Sequence, residues 1–119
     1  MPNVVMEYSN SIEERINTQA LLEDLHQVTI QSGLFEIQDV KSRTLRTHHW
    51  LVGDLDNEVD FIHITVELLD GRTDEQKLAL AQSLMATLQA KASFVASLTV
   101  NIRDMDRKCF QKVTNLSSH

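Results

Sequence analysis

The stretch Phe61-Ile62-His63-Ile64-Thr65-Val66-Glu67-Leu68-Leu69-Asp70-Gly71-Arg72-Thr73-Asp74-Glu75-Gln76-Lys77 predicts a strand, a turn and the start of a helix in one continuous run. Its first part alternates apolar and polar side chains, which is typical of a strand with one buried face. Asp70-Gly71-Arg72 predicts the turn. Thr73 followed by Gln76 forms a capping box, so we expect a helix to begin there.

The residues after this stretch continue the helix and then return to a strand. The helix carries apolar residues at helical spacing, which we expect to face the sheet: Leu78, Ala81, Leu84, Met85 and Leu88. A last strand is predicted over residues 98–103, where apolar and polar residues alternate again. The second half of the chain is therefore a β-α-β unit.

The first half of the chain has the same order. Residues 3–8 predict a strand, and the following helix has Thr18 as its N-cap and Gly33 as its stop. Residues 35–52 are rich in Thr, Val, Ile and Trp and predict a long or broken strand, with a polar turn over residues 53–58. The sum is β-α-β-β-α-β, an α+β fold whose two helices cover one face of a four-stranded mixed sheet.

The length of 119 residues is that of one modest domain. We therefore expect a single domain over residues 1–119, with pseudo-repeated halves at about 2–58 and 59–110 and a short C-terminal tail. The net charge of −6 argues against nucleic acid or an anionic membrane as a partner. No apolar run approaches membrane-spanning length, and the start lacks the order of a secretory signal. The single cysteine, Cys109, suits a reducing cytoplasm.

Pro2 is a candidate catalytic residue because of its position. A small second residue usually allows Met1 to be removed, which would leave Pro2 with a free secondary amine. Free α-amino groups titrate not far above neutral pH, so desolvation or a nearby cation can make one a base at physiological pH. An amine with such a pKa can serve as a general acid or base.

Three cations are candidate ligands for an anionic substrate. Arg72 lies at the start of a helix, where backbone N–H groups also point outward, so a carboxylate could be held by both. Lys41 and Arg43 are two apart on a predicted strand and share a face. Taken alone, each of the three is more often a solvated surface residue, and the binding role gains weight only together with the repeat and Pro2. A cationic pocket would also lower the pKa of the Pro2 amine, because it repels the protonated form.

The histidines and glycines predict no cofactor or metal site. His48 and His49 are adjacent on an extended segment, so their side chains point to opposite faces and cannot easily share a metal. His63 lies on the strand face opposite the aliphatic residues, where a hydrogen-bonded interface histidine is expected. No glycine-rich stretch resembles a phosphate-binding loop. Phe110 could line a pocket, but nothing in the sequence selects it.

The residues around Gly71-Arg72-Thr73 resemble a known family. Ile64 to Lys77 is similar to the strand, turn and helix start of 4-oxalocrotonate tautomerase, whose family has Gly-Arg-Ser/Thr-x-Glu-Gln-Lys after a strand that begins with the catalytic proline. Here the arginine lies in the second half, while the proline opens the first. That division, at this length, resembles 5-carboxymethyl-2-hydroxymuconate isomerase, a fused double unit of the tautomerase superfamily. Further matches cover nearly the whole chain: Met1-Pro2, Ser32-Gly33-Leu34-Phe35, Lys41-Ser42-Arg43, Trp50 and Phe61-Ile62-His63.

The resemblance implies a tautomerase-like fold and a cofactor-independent isomerase. Its substrate would be a small 2-hydroxymuconate-type unsaturated dicarboxylic acid, with Pro2 as general acid/base and Arg72, Lys41 and Arg43 binding the carboxylates. Members are typically homotrimers with sites near subunit boundaries. The chain departs from the family at Lys41, where the pattern has arginine, and lysine supplies a point charge without arginine's bidentate fork.

Two alternatives remain open from the sequence. The β-α-β-β-α-β order is shared by ferredoxin-like regulatory domains, so the chain could be a non-catalytic ligand-binding or oligomerising α+β module. It could also be a tautomerase-fold protein with a different substrate, which the departure at Lys41 allows. A homotrimer has one motive independent of the resemblance, since a sheet covered by helices on one face leaves the other face bare.

Overall fold

The computed structural model describes residues 1–54 and 59–115. Its regular elements are β1 (Asn3–Ser9), α1 (Thr18–Gln31), β2 (Lys41–Thr47), β3 (Phe61–Leu69), α2 (Asp74–Lys91) and β4 (Ser97–Met105). Short 3₁₀ turns lie at Asn10–Glu14, Ile37–Asp39 and Arg107–Cys109. The order is β-α-β-β-α-β, so the predicted α+β class is confirmed.

The strands form one mixed sheet in the order β2-β1-β3-β4. β1 pairs with β2 in parallel, and β3 pairs with β4 in parallel. The two central strands, β1 and β3, are antiparallel. Each strand that follows a helix is therefore parallel to the strand before that helix, as the crossover rule predicts.

The core lies between one face of the sheet and the two helices. Buried side chains alternate along β3, which confirms its predicted strand face. In β1 the consecutive residues Val4, Val5 and Met6 are all buried. The cluster contains residues of β1, β3, α1 and α2: Val4, Met6, Tyr8, Ile62, Ile64, Val66, Leu68, Leu21, Leu22, Leu25, Leu80, Leu84 and Leu88. Both helices thus contribute to a single core on one face of the sheet.

The inward face of α2 differs from the sequence prediction. Its buried residues are Leu80, Leu84 and Leu88, whereas Leu78 is 59% exposed. Leucines at both 78 and 80 allow either of two helix faces to be the apolar one. The face with a leucine every fourth residue, at 80, 84 and 88, packs on the sheet.

Two element boundaries also differ. The N-cap of α1 is Asn17, whose side-chain oxygen accepts a hydrogen bond from the Ala20 N–H at 3.0 Å, and Thr18 is the first helical residue. β2 covers only residues 41–47 of the extended stretch predicted over 35–52, because Ile37–Asp39 forms a 3₁₀ turn. Of the predicted turn over 53–58, residues 55–58 lie outside the described residues, as do residues 116–119 of the predicted tail.

The turn between β3 and α2 has a glycine before Arg72 and a capping box directly after it. Gly71 has φ +118°, a conformation that side chains rarely adopt. The capping box is confirmed: the Gln76 N–H donates to Thr73 Oγ1 at 3.1 Å, and the Thr73 N–H donates to Gln76 Oε1 at 2.9 Å. Arg72 therefore lies between a glycine turn and a fixed helix start. In the part of the chain that the structure describes, no helix is long and apolar enough to cross a membrane.

Candidate active site

Pro2 lies at the end of the sheet, immediately before β1. Its side chain is less than 2% exposed. Its carbonyl oxygen accepts a hydrogen bond from the Lys41 N–H at 3.1 Å, and Asn3 then pairs with Lys41 in the parallel ladder. The start of β1 is thus fixed against the start of β2, and Pro2 lies beside one of the predicted cations.

The chain terminus has an unusual electrostatic environment. Burial lowers the pKa of the Met1 α-amino group below its ordinary value, and the charges of Lys112, Lys41 and Arg72 lower it further. The Asp39 carboxylate acts in the opposite direction and raises this pKa. Three cations and one carboxylate therefore act on the same amine.

Arg72 joins two segments at this end of the molecule. Its Nη1 donates to the Leu69 carbonyl at 3.2 Å, and its Nη2 donates to the Leu34 carbonyl at 2.8 Å. The guanidinium carbon lies 4.8 Å from the centroid of the Phe35 ring. A guanidinium has five N–H donors, so these bonds leave donors available to a carboxylate. Arg72 therefore combines a structural link with unused binding capacity.

An open cavity of about 440 Å³ adjoins Arg72. It is lined by Gly33, Leu34, Asp70, Gly71, Arg72, Gln76 and Arg107, and Pro2 is not among these residues. Arg107 is engaged by Asp70: its Nε donates to the side chain at 2.9 Å and its Nη2 donates to the backbone carbonyl at 2.5 Å. A second groove of similar volume lies between the helices, but its described lining residues carry no charge, which suits a carboxylate less well.

Lys41 and Arg43 lie on one exposed face of β2, paired with Asn3 and Val5 of β1. Lys41 is among the charges that act on the terminal amine, while Arg43 lies two residues further along the strand. The structure thus brings Pro2, Lys41 and Arg72 to one end of the sheet. Arg43 lies two residues further along β2, away from that end.

Asp39 and Lys112 also belong to this end of the molecule, and the sequence analysis did not identify them. They form a hydrogen-bonded ion pair across 73 positions of sequence. The bond from Lys112 holds the pKa of the Asp39 carboxyl below its ordinary value. No local motif predicts this pair, because Lys112 follows the last regular strand and reaches Asp39 only in the folded chain.

His63 and His48 are engaged elsewhere. His63 Nδ1 lies 2.6 Å from Thr99 Oγ1 across β3 and β4, and His48 Nδ1 lies 3.0 Å from the Asn10 side-chain nitrogen. Neither is among the groups that act most strongly on the terminal amine. Among the residues that the structure describes, no group of three or more His, Cys, Asp or Glu side chains is placed to hold a metal ion.

Comparison with known proteins places the chain among isomerases. A family model described as 5-carboxymethyl-2-hydroxymuconate isomerase matches residues 2–119. A solved 5-carboxymethyl-2-hydroxymuconate isomerase from Deinococcus radiodurans R1 is similar, with a TM-score of 0.86 and 22% identity over 96% of this chain and 90% of that chain. A 5-carboxymethyl-2-hydroxymuconate delta-isomerase has a TM-score of 0.80 and 10% identity, over 97% and 89% of the two chains.

A wild-type fused 4-OT, described as a symmetric trimer, has a TM-score of 0.76 and 19% identity, over 97% of this chain and 94% of that chain. At these identities the solved structures establish the fold alone, which is the tautomerase-like fold that the sequence predicts. No curated protein matches the sequence.

Proposed function

Because the chain belongs to the 5-carboxymethyl-2-hydroxymuconate isomerase family and is therefore an isomerase, we propose that it catalyses enol–keto isomerisation of a 2-hydroxymuconate-type dicarboxylic acid. In this proposal Pro2, exposed by removal of Met1, is the general acid/base, and no cofactor takes part. The observation that supports it best is the position of Pro2, which is buried at the end of the sheet and accepts a hydrogen bond from the Lys41 N–H at its carbonyl. Lys41 and Arg72 both lower the pKa of the adjoining Met1 amine.

The proposed reaction moves one proton within the substrate. The Pro2 nitrogen accepts the proton of the enol hydroxyl, the electrons shift along the conjugated system, and the same nitrogen returns a proton to a carbon. This is a 1,3- or 1,5-shift, depending on the carbon that is protonated. The product has the composition of the substrate, so the amine ends each cycle in its starting state.

The cations have two roles in this mechanism. Arg72 and Lys41 attract the substrate carboxylates and stabilise the negative charge of the dienolate. They also lower the pKa of the Met1 amine one residue ahead of Pro2. We expect them to act in the same way on the Pro2 amine once Met1 is removed, so that more of it is unprotonated at neutral pH. Substrate binding and base activation therefore depend on the same side chains.

The experiment that tests this function is an ultraviolet absorbance assay of 2-hydroxymuconate ketonisation, using protein expressed without an N-terminal tag. Intact mass should correspond to a chain that begins at Pro2. Turnover by this protein is expected. Equal turnover by protein that retains Met1 would remove Pro2 from the mechanism.

Lys41 and Arg43 make a matched pair for the first prediction. Lys41→Ala should raise KM and shift the acidic limb of the pH–rate profile upward, because Lys41 acts on the terminal amine. Arg43→Ala should have the smaller effect on both, since Arg43 lies two residues further along β2. Steady-state kinetics across pH measures the difference. Equal effects of the two substitutions would contradict the assignment of Lys41.

We also propose that the enzyme is a homotrimer. Solved fused 4-OT structures with the same fold are described as symmetric or asymmetric trimers. In this chain the sheet face opposite the core carries Phe61, His63 and Thr65, which are only half-buried in the isolated chain. Sedimentation should therefore give about three times the mass of one chain, and a stable monomer would contradict the proposal.

A tautomerase-fold enzyme with a different substrate is the second candidate, favoured by lysine at position 41. A point charge holds a carboxylate less rigidly than a guanidinium, so an arylpyruvate enol is the comparison substrate. A higher kcat/KM for that enol than for 2-hydroxymuconate would favour this candidate.

For location we propose the cytoplasm, where a free exposed thiol such as Cys109 stays reduced.

A further inference from the structure

A carboxylate close to a catalytic amine favours the protonated, inactive form of that amine. Asp39 lies at the same end of the sheet as Pro2, two residues before Lys41, whose N–H donates to the Pro2 carbonyl at 3.1 Å. We infer that the ion pair between Asp39 and Lys112 tunes the protonation of the Pro2 site. Lys112 offsets the negative charge of Asp39, so that this charge does not hold a proton on the Pro2 amine. The inference rests on the proposed role of Pro2 as the base.

Backbone geometry places Asp39 at the Pro2 end of the sheet. Asp39 ends the 3₁₀ turn Ile37–Asp39, and two residues later the Lys41 N–H donates to the Pro2 carbonyl at 3.1 Å. Lys112 lies beyond the last 3₁₀ turn, in a segment without regular structure. Its ammonium group donates to Asp39 Oδ1. The pair therefore fixes the segment after β4 against the start of β2.

The pair is more sheltered from solvent than the ion pair between the two helices. The Asp39 and Lys112 side chains are 26% and 35% exposed. In the Lys91–Asp24 pair between the helices, the corresponding values are 59% and 47%. Partial burial reduces screening by water and salt, so charges at this position act on their neighbours more strongly than charges on an open surface.

Four charged groups from four segments act on the Met1 amine, one residue ahead of the Pro2 nitrogen: Asp39 from the turn before β2, Lys41 from β2, Arg72 from the turn before α2, and Lys112 from the C-terminal segment. Asp39 raises the pKa of the amine and the three cations lower it. The bond from Lys112 lowers the pKa of the Asp39 carboxyl, which is ionised at neutral pH with or without this bond. Lys112 thus offsets the effect of the Asp39 charge on this amine.

This arrangement predicts opposite effects for the two members of the pair. Lys112→Gln leaves the carboxylate uncompensated, so the amine should titrate at higher pH. Asp39→Asn leaves the cation uncompensated, so the amine should titrate at lower pH. The double variant should lie near wild type, and Lys112→Arg should retain the wild-type value because it keeps the charge. If the pair were only a structural anchor, both single substitutions would shift the pKa of the amine in the same direction.

The chain contains one proline, so protein labelled with ¹⁵N-proline gives one amine resonance to follow against pH. Intact mass establishes beforehand that Pro2 is the first residue of the protein that is titrated. Shifts on the order of 0.5–1 pH unit are expected for the single variants, as for a charge removed a few ångströms away near a protein surface. The matched control is Lys91→Gln, which breaks the more exposed pair and should shift nothing.

The titration and the activity assay separate this inference from the proposed function. If the resonance shifts as predicted but no variant turns over 2-hydroxymuconate, the proposed function fails and the role of the pair stands. If the wild type is active but the titration is unchanged in Lys112→Gln, or moves the same way in both single variants, the inference is overturned. If both the inference and the proposed function hold, the acidic limb of the pH profile of kcat/KM moves to higher pH in Lys112→Gln, together with the resonance.

Discussion

A protein that carries any residue ahead of Pro2 is expected to lose about 10²- to 10⁴-fold in kcat/KM, the usual contribution of a positioned general acid/base. A peptide bond at the Pro2 nitrogen converts a basic amine into an amide, whose nitrogen does not accept a proton near neutral pH. The measurement is the absorbance assay on protein with an N-terminal tag. The matched control carries the same tag at the C-terminus and should stay within a few fold of the untagged protein.

Pro2→Ala tests the same claim without adding residues. Alanine leaves a free amine, but a primary one, and it removes a ring that is less than 2% exposed and fixes the position of the nitrogen. We expect a large fall in kcat, with a smaller effect on KM. A Pro2→Ala protein as fast as wild type would show that the proline has no special part in the reaction.

Arg72→Ala should give the second largest effect, a rise in KM of about 10- to 100-fold, because charge-assisted hydrogen bonds contribute about 1.5–3 kcal/mol. Arg72→Lys should recover only part of the loss, since an ammonium cannot form the bidentate pair. The matched control is Arg107→Ala. Arg107 lines the same cavity, but its guanidinium is engaged by Asp70, so a change of no more than a few fold is expected.

Stability measurements separate the two roles of Arg72. Its bonds to the Leu34 and Leu69 carbonyls predict that Arg72→Ala also lowers the free energy of unfolding, by about 1–3 kcal/mol. Thermal unfolding of both arginine variants measures this. If Arg72→Ala loses stability while KM is unchanged, Arg72 is only a link between segments and the substrate carboxylate is bound elsewhere.

The sequence predicts the second half of the fold well because its local signals agree. Alternation in β3, the glycine turn and the capping box at Thr73 all indicate the same chain path. Parallel pairing of β1 with β2 then brings Lys41 next to Pro2, which follows from the β-α-β order. The proximity of Pro2 and Lys41 could therefore be anticipated, although the roles of these residues remain proposals.

Other features depend on tertiary packing and have no local signal. Leucines at 78, 80, 84 and 88 permit two inward faces for α2, and only the fit to the sheet selects the one with Leu80. The stretch before β2 has strand-like composition, yet it forms a 3₁₀ turn that places Asp39 near the terminal amine. The partner of Asp39 is Lys112, at a sequence distance of 73, which no motif spans.

The most direct test of Pro2 as the base compares two titrations of the untagged protein. The pH dependence of kcat/KM reports the pKa of the essential base in the free enzyme, and the ¹⁵N resonance of Pro2 reports the pKa of its amine. In the chain that retains Met1, burial and the neighbouring cations lower the pKa of the α-amino group. The same surroundings should lower the pKa of the Pro2 amine, which must be unprotonated to act. The rate should therefore fall with decreasing pH at the inflection given by the resonance, which should lie below that of an exposed prolyl peptide. A rate that persists at pH values where the Pro2 amine is fully protonated would contradict the account.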